Sequence, residues 1–172
     1  MIDTHSHLYL KQFNEDIDDV ISRALSAGVH RFYMPSINSS YNKDMLQLMS
    51  RYPENIFCMI GLHPCYVDED YKKELDFVRE EIKKNKYYAI GEIGIDLYHE
   101  KKFLKEQIIA FEEQIDLAIR YDLPIVIHCR ESFNEIYDVL KKFKSKNLRG
   151  IFHCFSGSIE EANKIVDLNF SL

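Results

Sequence analysis

The sequence lacks the features that would place it in a membrane or on a secretory route. Its 172 residues contain no run of about 18 consecutive apolar residues, so we expect no membrane span. The start of the chain has no basic stretch followed by an apolar one, which is the pattern of a secretory signal. We therefore expect a cytoplasmic location, with a nuclear one also open.

Paired cysteine motifs are absent too. None of the four cysteines forms a C-x-x-C pair, which argues against a structural zinc knuckle or a redox dithiol. Cys129 and Cys154 directly follow His128 and His153 in apolar runs. Because neighbours in a strand point to opposite faces, we expect both thiols to be reduced and packed against a helix layer behind the sheet.

Positive charge is scarce: the chain has 22 Lys and Arg residues and 28 Asp and Glu residues, which gives a formal net charge of −6. Proteins that bind nucleic acid over a broad surface are usually basic. The acidic charge balance therefore argues more strongly against a pure nucleic-acid-binding module than against a metallohydrolase, in which metal ions attract a phosphate locally.

What recurs along the chain is an apolar strand followed by an amphipathic helix, and 46% hydrophobic residues can build the core of one domain spanning residues 1–172. The apolar runs predict strands at Met1–His5, Arg31–Pro35, Ile56–Gly61, Tyr88–Gly94, Pro124–Cys129 and Gly150–Phe155, with a seventh beginning at Asn169–Leu172. Helical periodicity and capping residues predict helices at Glu15–Ala27, Leu104–Tyr121, Ser132–Phe143 and Ile159–Leu168.

Apolar runs without strict alternation are typical of a parallel sheet buried on both faces, so the predicted fold class is α/β. Five candidate metal ligands, His5, His7, Glu92, His128 and His153, fall on predicted strands one, four, five and six, each near the carboxyl-terminal end of its strand. In an open sheet the ends of such separated strands would not converge, whereas in a closed barrel the carboxyl-terminal rim surrounds one mouth. We therefore predict a TIM barrel of the (β/α)8 type.

The candidate metal ligands begin with His5 and His7. Residues two apart on a strand point to the same face, and imidazole is a standard ligand of transition-type metals. Glu92, His128 and His153 recur in later apolar runs, and a carboxylate inside such a run is costly unless it is paired or metal-bound. A lone histidine at a strand end is more often structural, but the five residues together predict a metal centre.

Five motifs carry a wider likeness: Asp3-Thr4-His5-Ser6-His7, Ile60-Gly61-Leu62-His63-Pro64, Gly91-Glu92-Ile93-Gly94-Ile95-Asp96, Ile127-His128-Cys129-Arg130 and His153-Cys154-Phe155-Ser156-Gly157. In order and approximate spacing the chain resembles the TatD family of metal-dependent deoxyribonucleases, which are TIM barrels of the amidohydrolase superfamily. The likeness covers the whole chain.

By this resemblance His5 and His7 would hold one divalent ion, His128 and His153 a second, and Glu92 would bridge the two, with Mg, Mn or Zn as candidate metals. A bridged water would lose a proton near neutral pH and attack phosphorus while the other metal stabilises the leaving oxygen. The implied function is exonucleolytic cleavage of DNA phosphodiester bonds, with DNA as the substrate and no obligate protein partner.

The resemblance makes His63 a catalytic group, either a contact to the substrate phosphate or a proton-transfer residue. The alternative is a loop histidine held by Pro64. Arg130 lies two residues past His128, and its guanidinium can bind a phosphate through two N–H groups. The alternative is an ion pair with Glu131.

Asp96 and Asp3 are candidates for a supporting role. Asp96 can accept a hydrogen bond from a ligand imidazole and so orient it. Asp3 shares a face with His5 and can do the same, or can cap the strand.

The chain departs from the family pattern at its end. Family members run on through strand seven to an eighth strand whose aspartate ligates the first metal, whereas this sequence stops at Leu172. We therefore expect a barrel truncated after about six complete βα units. A fragment of a longer protein, a partial gene product and a barrel completed by a second copy stay open.

Two other functions also stay open. An amide or ester hydrolase of the same superfamily, including one that cleaves aminoacyl-tRNA esters, would keep the metals and change the bond. Such enzymes often bridge their metals with a lysine that ends strand four, where this chain has Glu92. A catalytically degenerate barrel would act as a scaffold.

Overall fold

The computed structural model describes residues 1–99, 101–144 and 146–172. The described strands are β1 Ile2–Asp3, β2 Arg31–Met34, β3 Ile56–Cys58, β4 Ile90–Asp96, β5 Ile125–Arg130, β6 Gly150–Phe152 and β7 Phe170–Ser171. The described α-helices are α1 Ile17–Ser26, α2 Ser39–Arg51, α3 Tyr71–Glu81, α4 Leu104–Tyr121, α5 Phe133–Lys142 and α6 Ile159–Val166. The described residues therefore form six βα units followed by a short seventh strand.

All strand pairs are parallel and follow chain order. β1, β2 and β3 form one group and β4 to β7 another, and a parallel bridge between Ile60 and Ile90 joins the groups. Within the described residues β1 and β7 are not paired, so the barrel wall is open between them. Parallel strands in sequential order, each followed by a helix, are the TIM-barrel arrangement. The predicted fold class is confirmed.

The core lies mainly between this wall and the helices. α4 packs against β4 and buries Phe111, Ile115 and Ala118 completely, and each large apolar side chain buried in this way contributes about 1.5–3 kcal/mol. Inside the wall, Met59, Ala89 and Val126 form a smaller apolar cluster. No helix in the described ranges combines the length and apolar character of a membrane span.

Two buried glutamines of α4 hold the rim of the barrel. Gln107 Oε1 accepts the backbone N–H of Asp96 at 2.8 Å, and Gln114 Oε1 accepts that of Leu62 at 2.7 Å. Because the glutamines are about two helical turns apart, both face the sheet. They fix the backbone beside two candidate site residues, Asp96 itself and His63.

Several element boundaries differ from the sequence prediction. β4 begins two residues late, at Ile90, and continues to Asp96, because its pairing with β5 extends to Asp96 and Arg130. Glu92 therefore lies in the first half of its strand instead of near the end. Helices α2 and α3 were not predicted from the sequence.

The expected position of Cys154 is wrong. β6 ends at Phe152, so the alternation of a strand does not reach Cys154, which has a φ of +48° and is exposed. Cys129 lies inside β5 and packs against the core, as predicted.

Candidate metal centre

Glu92, in the first half of β4, is surrounded by histidines from β5 and from the segments that follow β1 and β3. Its side chain is only 4% exposed, with Oε2 3.1 Å from His5 Nε2 and Oε1 3.2 Å from His128 Nδ1. Burial opposes its ionisation, but the hydrogen bonds from His128 and His5 outweigh burial and hold the pKa of Glu92 well below its usual range. Glu92 is therefore an anion whose two oxygens face two different imidazoles.

The predicted ligands converge. A cavity of about 500 Å³ is lined by His5, His7, Glu92, His128 and His153, together with Arg130. The rings of His5 and His153 stack with their centroids 3.4 Å apart, and one ligand atom from each lies within 4.8 Å of the other and of a Glu92 oxygen. The ring of His7 meets His5 edge-on at 5.2 Å. Which histidines would share an ion stays a prediction.

The chemistry of these donors fits a transition-type divalent ion, which prefers imidazole nitrogen and carboxylate oxygen. Among the described residues His5 Nδ1 is buried without a hydrogen-bond partner. A buried polar atom of this kind is costly unless something satisfies it. The residues present therefore fit a bound metal.

Tyr9 determines the tautomer of His7. The Tyr9 hydroxyl donates its proton to the carbonyl of Pro35 at 2.7 Å, so it can only accept from His7 Nδ1, which lies 2.8 Å away. The Nδ1 atom of His7 is therefore the protonated one, and Nε2 keeps its lone pair for a metal. Tyr9 was not among the site residues predicted from the sequence, although its position two residues after His7 repeats the spacing between His5 and His7.

Replacing Tyr9 with phenylalanine is expected to weaken metal binding about 10–100-fold, because His7 loses the acceptor that orients it. The carbonyl of Pro35 also loses its donor, which costs about 1–3 kcal/mol of unfolding free energy. Isothermal titration with Mn²⁺ or Zn²⁺ and chemical denaturation measure the two effects. Tyr33→Phe, on β2 beside Phe57, is the control, and equal metal affinities of the two variants would contradict the assignment.

His63 has the opposite tautomer. The backbone N–H of Cys65 donates to His63 Nδ1 at 3.1 Å, so the ring proton is on Nε2, which lies 3.8 Å from Glu92 Oε2. Burial lowers the pKa of His63 to about 4, so the ring is neutral at physiological pH. Neither nitrogen then has a free lone pair, so His63 is suited to donate a hydrogen bond and not to bind a metal.

The two supporting aspartates behave differently. Asp96 Oδ2 lies 2.8 Å from His128 Nε2, so it accepts that N–H and leaves Nδ1 facing Glu92. Asp3 accepts the backbone N–H of His5 at 3.1 Å. It therefore shapes the turn after β1, whereas Asp96 orients an imidazole.

Arg130 ends β5 and lines the cavity. Its guanidinium lies 3.9 Å from the ring centroid of Tyr98, a side chain that is 56% exposed. In the described part of the chain it makes no ion pair with Glu131. The contact presents a cation and an aromatic face side by side at the mouth of the cavity.

The metal-free chain is expected to be most stable near neutral pH. Burial lowers the pKa values of His7, His63 and His153. Burial also opposes charge on His128, but its hydrogen bonds to Glu92 and Asp96 outweigh burial and raise the pKa of His128. Because three histidines have lowered pKa values, the free energy of unfolding falls as the pH drops below about 6.5. Because the pKa of His128 is raised, the free energy of unfolding also falls as the pH rises above that value.

Melting temperatures measured in chelator between about pH 5 and about pH 8 test this dependence. His63→Asn should reduce the loss of melting temperature between neutral and acid pH. Substitution of the exposed His30 by Asn should leave that loss unchanged. A melting temperature that rises steadily as the pH falls from neutral would contradict the prediction.

A family model described as TatD related DNase matches residues 2–172. The chain belongs to the TatD family. This confirms the resemblance carried by the five sequence motifs.

Three relatives match nearly the whole chain. It is 32% identical over 172 residues to the uncharacterized metal-dependent hydrolase YabD of Bacillus subtilis, covering 100% of this chain and 67% of that protein. It is 29% identical over 172 residues to the 3′-5′ ssDNA/RNA exonuclease TatD of Pantoea ananatis, covering 100% of this chain and 66% of that protein. The crystal structure of YjjV, a TatD homologue from Escherichia coli, superposes with a TM-score of 0.90 at 30% identity, over 99% of this chain and 66% of that one. The chain thus spans about two thirds of the length of these relatives.

Proposed function

We propose that this chain forms the metal-binding face of a divalent-metal-dependent hydrolase that cleaves DNA phosphodiester bonds from an end of the strand. The observation that carries the proposal is the buried Glu92 carboxylate, with one oxygen facing His5 and the other facing His128. A carboxylate with both oxygens directed to separate imidazoles is suited to bridge two cations about 3.5–4 Å apart. Family membership supports this interpretation.

The ligands in this proposal are His5, His7, Glu92, His128 and His153. Two divalent ions held there (Mg, Mn or Zn) would supply the Lewis acidity and the acidified water that phosphodiester hydrolysis needs. Tyr9 and Asp96 orient His7 and His128 through their second ring nitrogens.

Substrate contacts are assigned to residues beside these ligands. His63 offers its Nε2–H to a phosphate oxygen or to the leaving group. Arg130 supplies the cation that an acidic chain needs close to its substrate, and the exposed ring of Tyr98 provides a stacking surface for a base. A relative named ssDNA/RNA exonuclease favours a single-stranded substrate. The cytoplasmic location stays a prediction.

Incubation of 3′-labelled single-stranded DNA with the chain and Mg²⁺ or Mn²⁺ tests the function. We expect release of nucleotides that a chelator stops and that Tyr98→Ala slows by weakening DNA binding by about 1–3 kcal/mol. An aminoacyl-tRNA ester and a simple amide serve as parallel substrates. Turnover of either one without chelator-sensitive release from DNA would replace the proposed reaction with another hydrolysis.

A further inference from the structure

A second group of metal-ligating side chains lies beside the candidate metal centre. It consists of Cys65 in the turn Pro64–Tyr66 after β3, Asp96 at the end of β4, and His99 in the loop that follows. One ligand atom from each lies within 4.8 Å of the others. Asp96 is buried, whereas Cys65 and His99 are exposed, so an ion can enter from solvent.

The distances inside this group match a tetrahedral zinc site. His99 Nδ1 lies 3.1 Å from Asp96 Oδ2 and 3.6 Å from Cys65 Sγ. Zinc bonds are about 2.0–2.1 Å long to nitrogen or oxygen and about 2.3 Å long to sulfur. With tetrahedral angles at the ion, a nitrogen ligand then lies about 3.3 Å from an oxygen ligand and about 3.6 Å from a sulfur ligand. The two distances from His99 Nδ1 are therefore close to those around one shared ion, and the three ligand atoms all lie within 4.8 Å of one another.

Asp96 is held ready for this role. Its Oδ1 accepts the backbone N–H groups of Tyr98 at 3.0 Å and His99 at 2.8 Å, which fixes the carboxylate on the loop. Its Oδ2 accepts from His128 and faces the ring of His99. An ion would replace the contacts of Asp96 to the ring of His99 and to the thiol of Cys65, and would leave the hydrogen bond from His128 in place.

We propose that Cys65, Asp96 and His99 form an additional site for a thiophilic divalent ion of the zinc type. Three protein ligands leave the fourth position of a tetrahedral ion open to water. Binding releases the thiol proton of Cys65 to solvent, because a coordinating thiol is deprotonated. The ion ties the turn after β3 to the loop after β4, and it touches the same carboxylate that orients His128.

Metal counting and cobalt spectroscopy test the site independently of DNA cleavage. After loading with Zn²⁺ and dialysis, the wild-type chain is expected to hold one ion more than Cys65→Ser or His99→Ala. Loaded with Co²⁺, it should show a thiolate-to-cobalt charge-transfer band that Cys65→Ser abolishes. Cys154→Ser is the matched control, because Cys154 is an exposed free cysteine at the neighbouring cavity.

Both cysteines are exposed, so neither substitution removes a core side chain, and circular dichroism verifies that both variants fold. Absence of the band in the wild type, its persistence in Cys65→Ser, or its loss in Cys154→Ser would overturn the proposal. A chain that shows the band but releases no nucleotides would retain this site and lose the proposed function.

Discussion

Glu92→Gln is expected to reduce metal-dependent hydrolysis by at least on the order of 10²–10³-fold, the loss that follows removal of one group aimed at developing charge. Glutamine keeps the volume of the side chain but removes its charge, and it turns an NH2 group toward either His5 or His128. A neutral amide cannot bridge two cations. The variant should therefore bind fewer ions per chain and lose the increase in melting temperature that metal produces.

Glu160→Gln is the matched control, because Glu160 pairs with Lys164 on the exposed side of α6. It removes the same charge from the chain and should leave activity and metal content unchanged. Wild-type metal content in the Glu92 variant would exclude Glu92 as a bridging ligand.

Gly94→Ala is expected to destabilise the fold by more than about 4 kcal/mol, which is exceptional for one substitution. Gly94 has a φ of +141°, and a Cβ at this position would lie 2.1 Å from the carbonyl oxygen of His128. Gly94 pairs with His128 in the register of β4 and β5. The clash is with backbone, so it would separate the two strands at the point where His128 faces Glu92.

Gly28→Ala separates this clash from backbone strain alone. Gly28 also has a positive φ, +87°, but a Cβ at this position would have no neighbour within 4 Å. We expect a loss of about 1 kcal/mol there. Chemical denaturation of the two variants gives the comparison, and similar losses would mean that the close approach of β4 and β5 is not what requires Gly94.

The repeating strand and helix pattern was sufficient to predict an α/β fold with parallel strands, and the candidate ligands on four separated strands then favoured a barrel over an open sheet. α4 was predicted with its observed bounds, Leu104–Tyr121. Strand ends were predicted less well, since they depend on how far the neighbouring strand continues. Asp96 is part of β4 only because β5 reaches Arg130, and Cys154 turns outward because β6 stops at Phe152.

The sequence by itself determined which ligand-type side chains the chain offers, and it predicted that five of them would meet at one rim. Barrel topology brings the carboxyl ends of the strands together. His5 and His7 follow β1, which ends at Asp3, and His153 follows β6, so strand alternation does not set the direction of these three side chains. Only the tertiary structure decided what each ring nitrogen does. His7 is oriented by Tyr9 and His128 by Asp96, and Cys65 meets His99 across two loops. Hydrogen bonds of this kind depend on sub-ångström distances between segments far apart in the chain, which strand register and curvature set and local sequence does not encode.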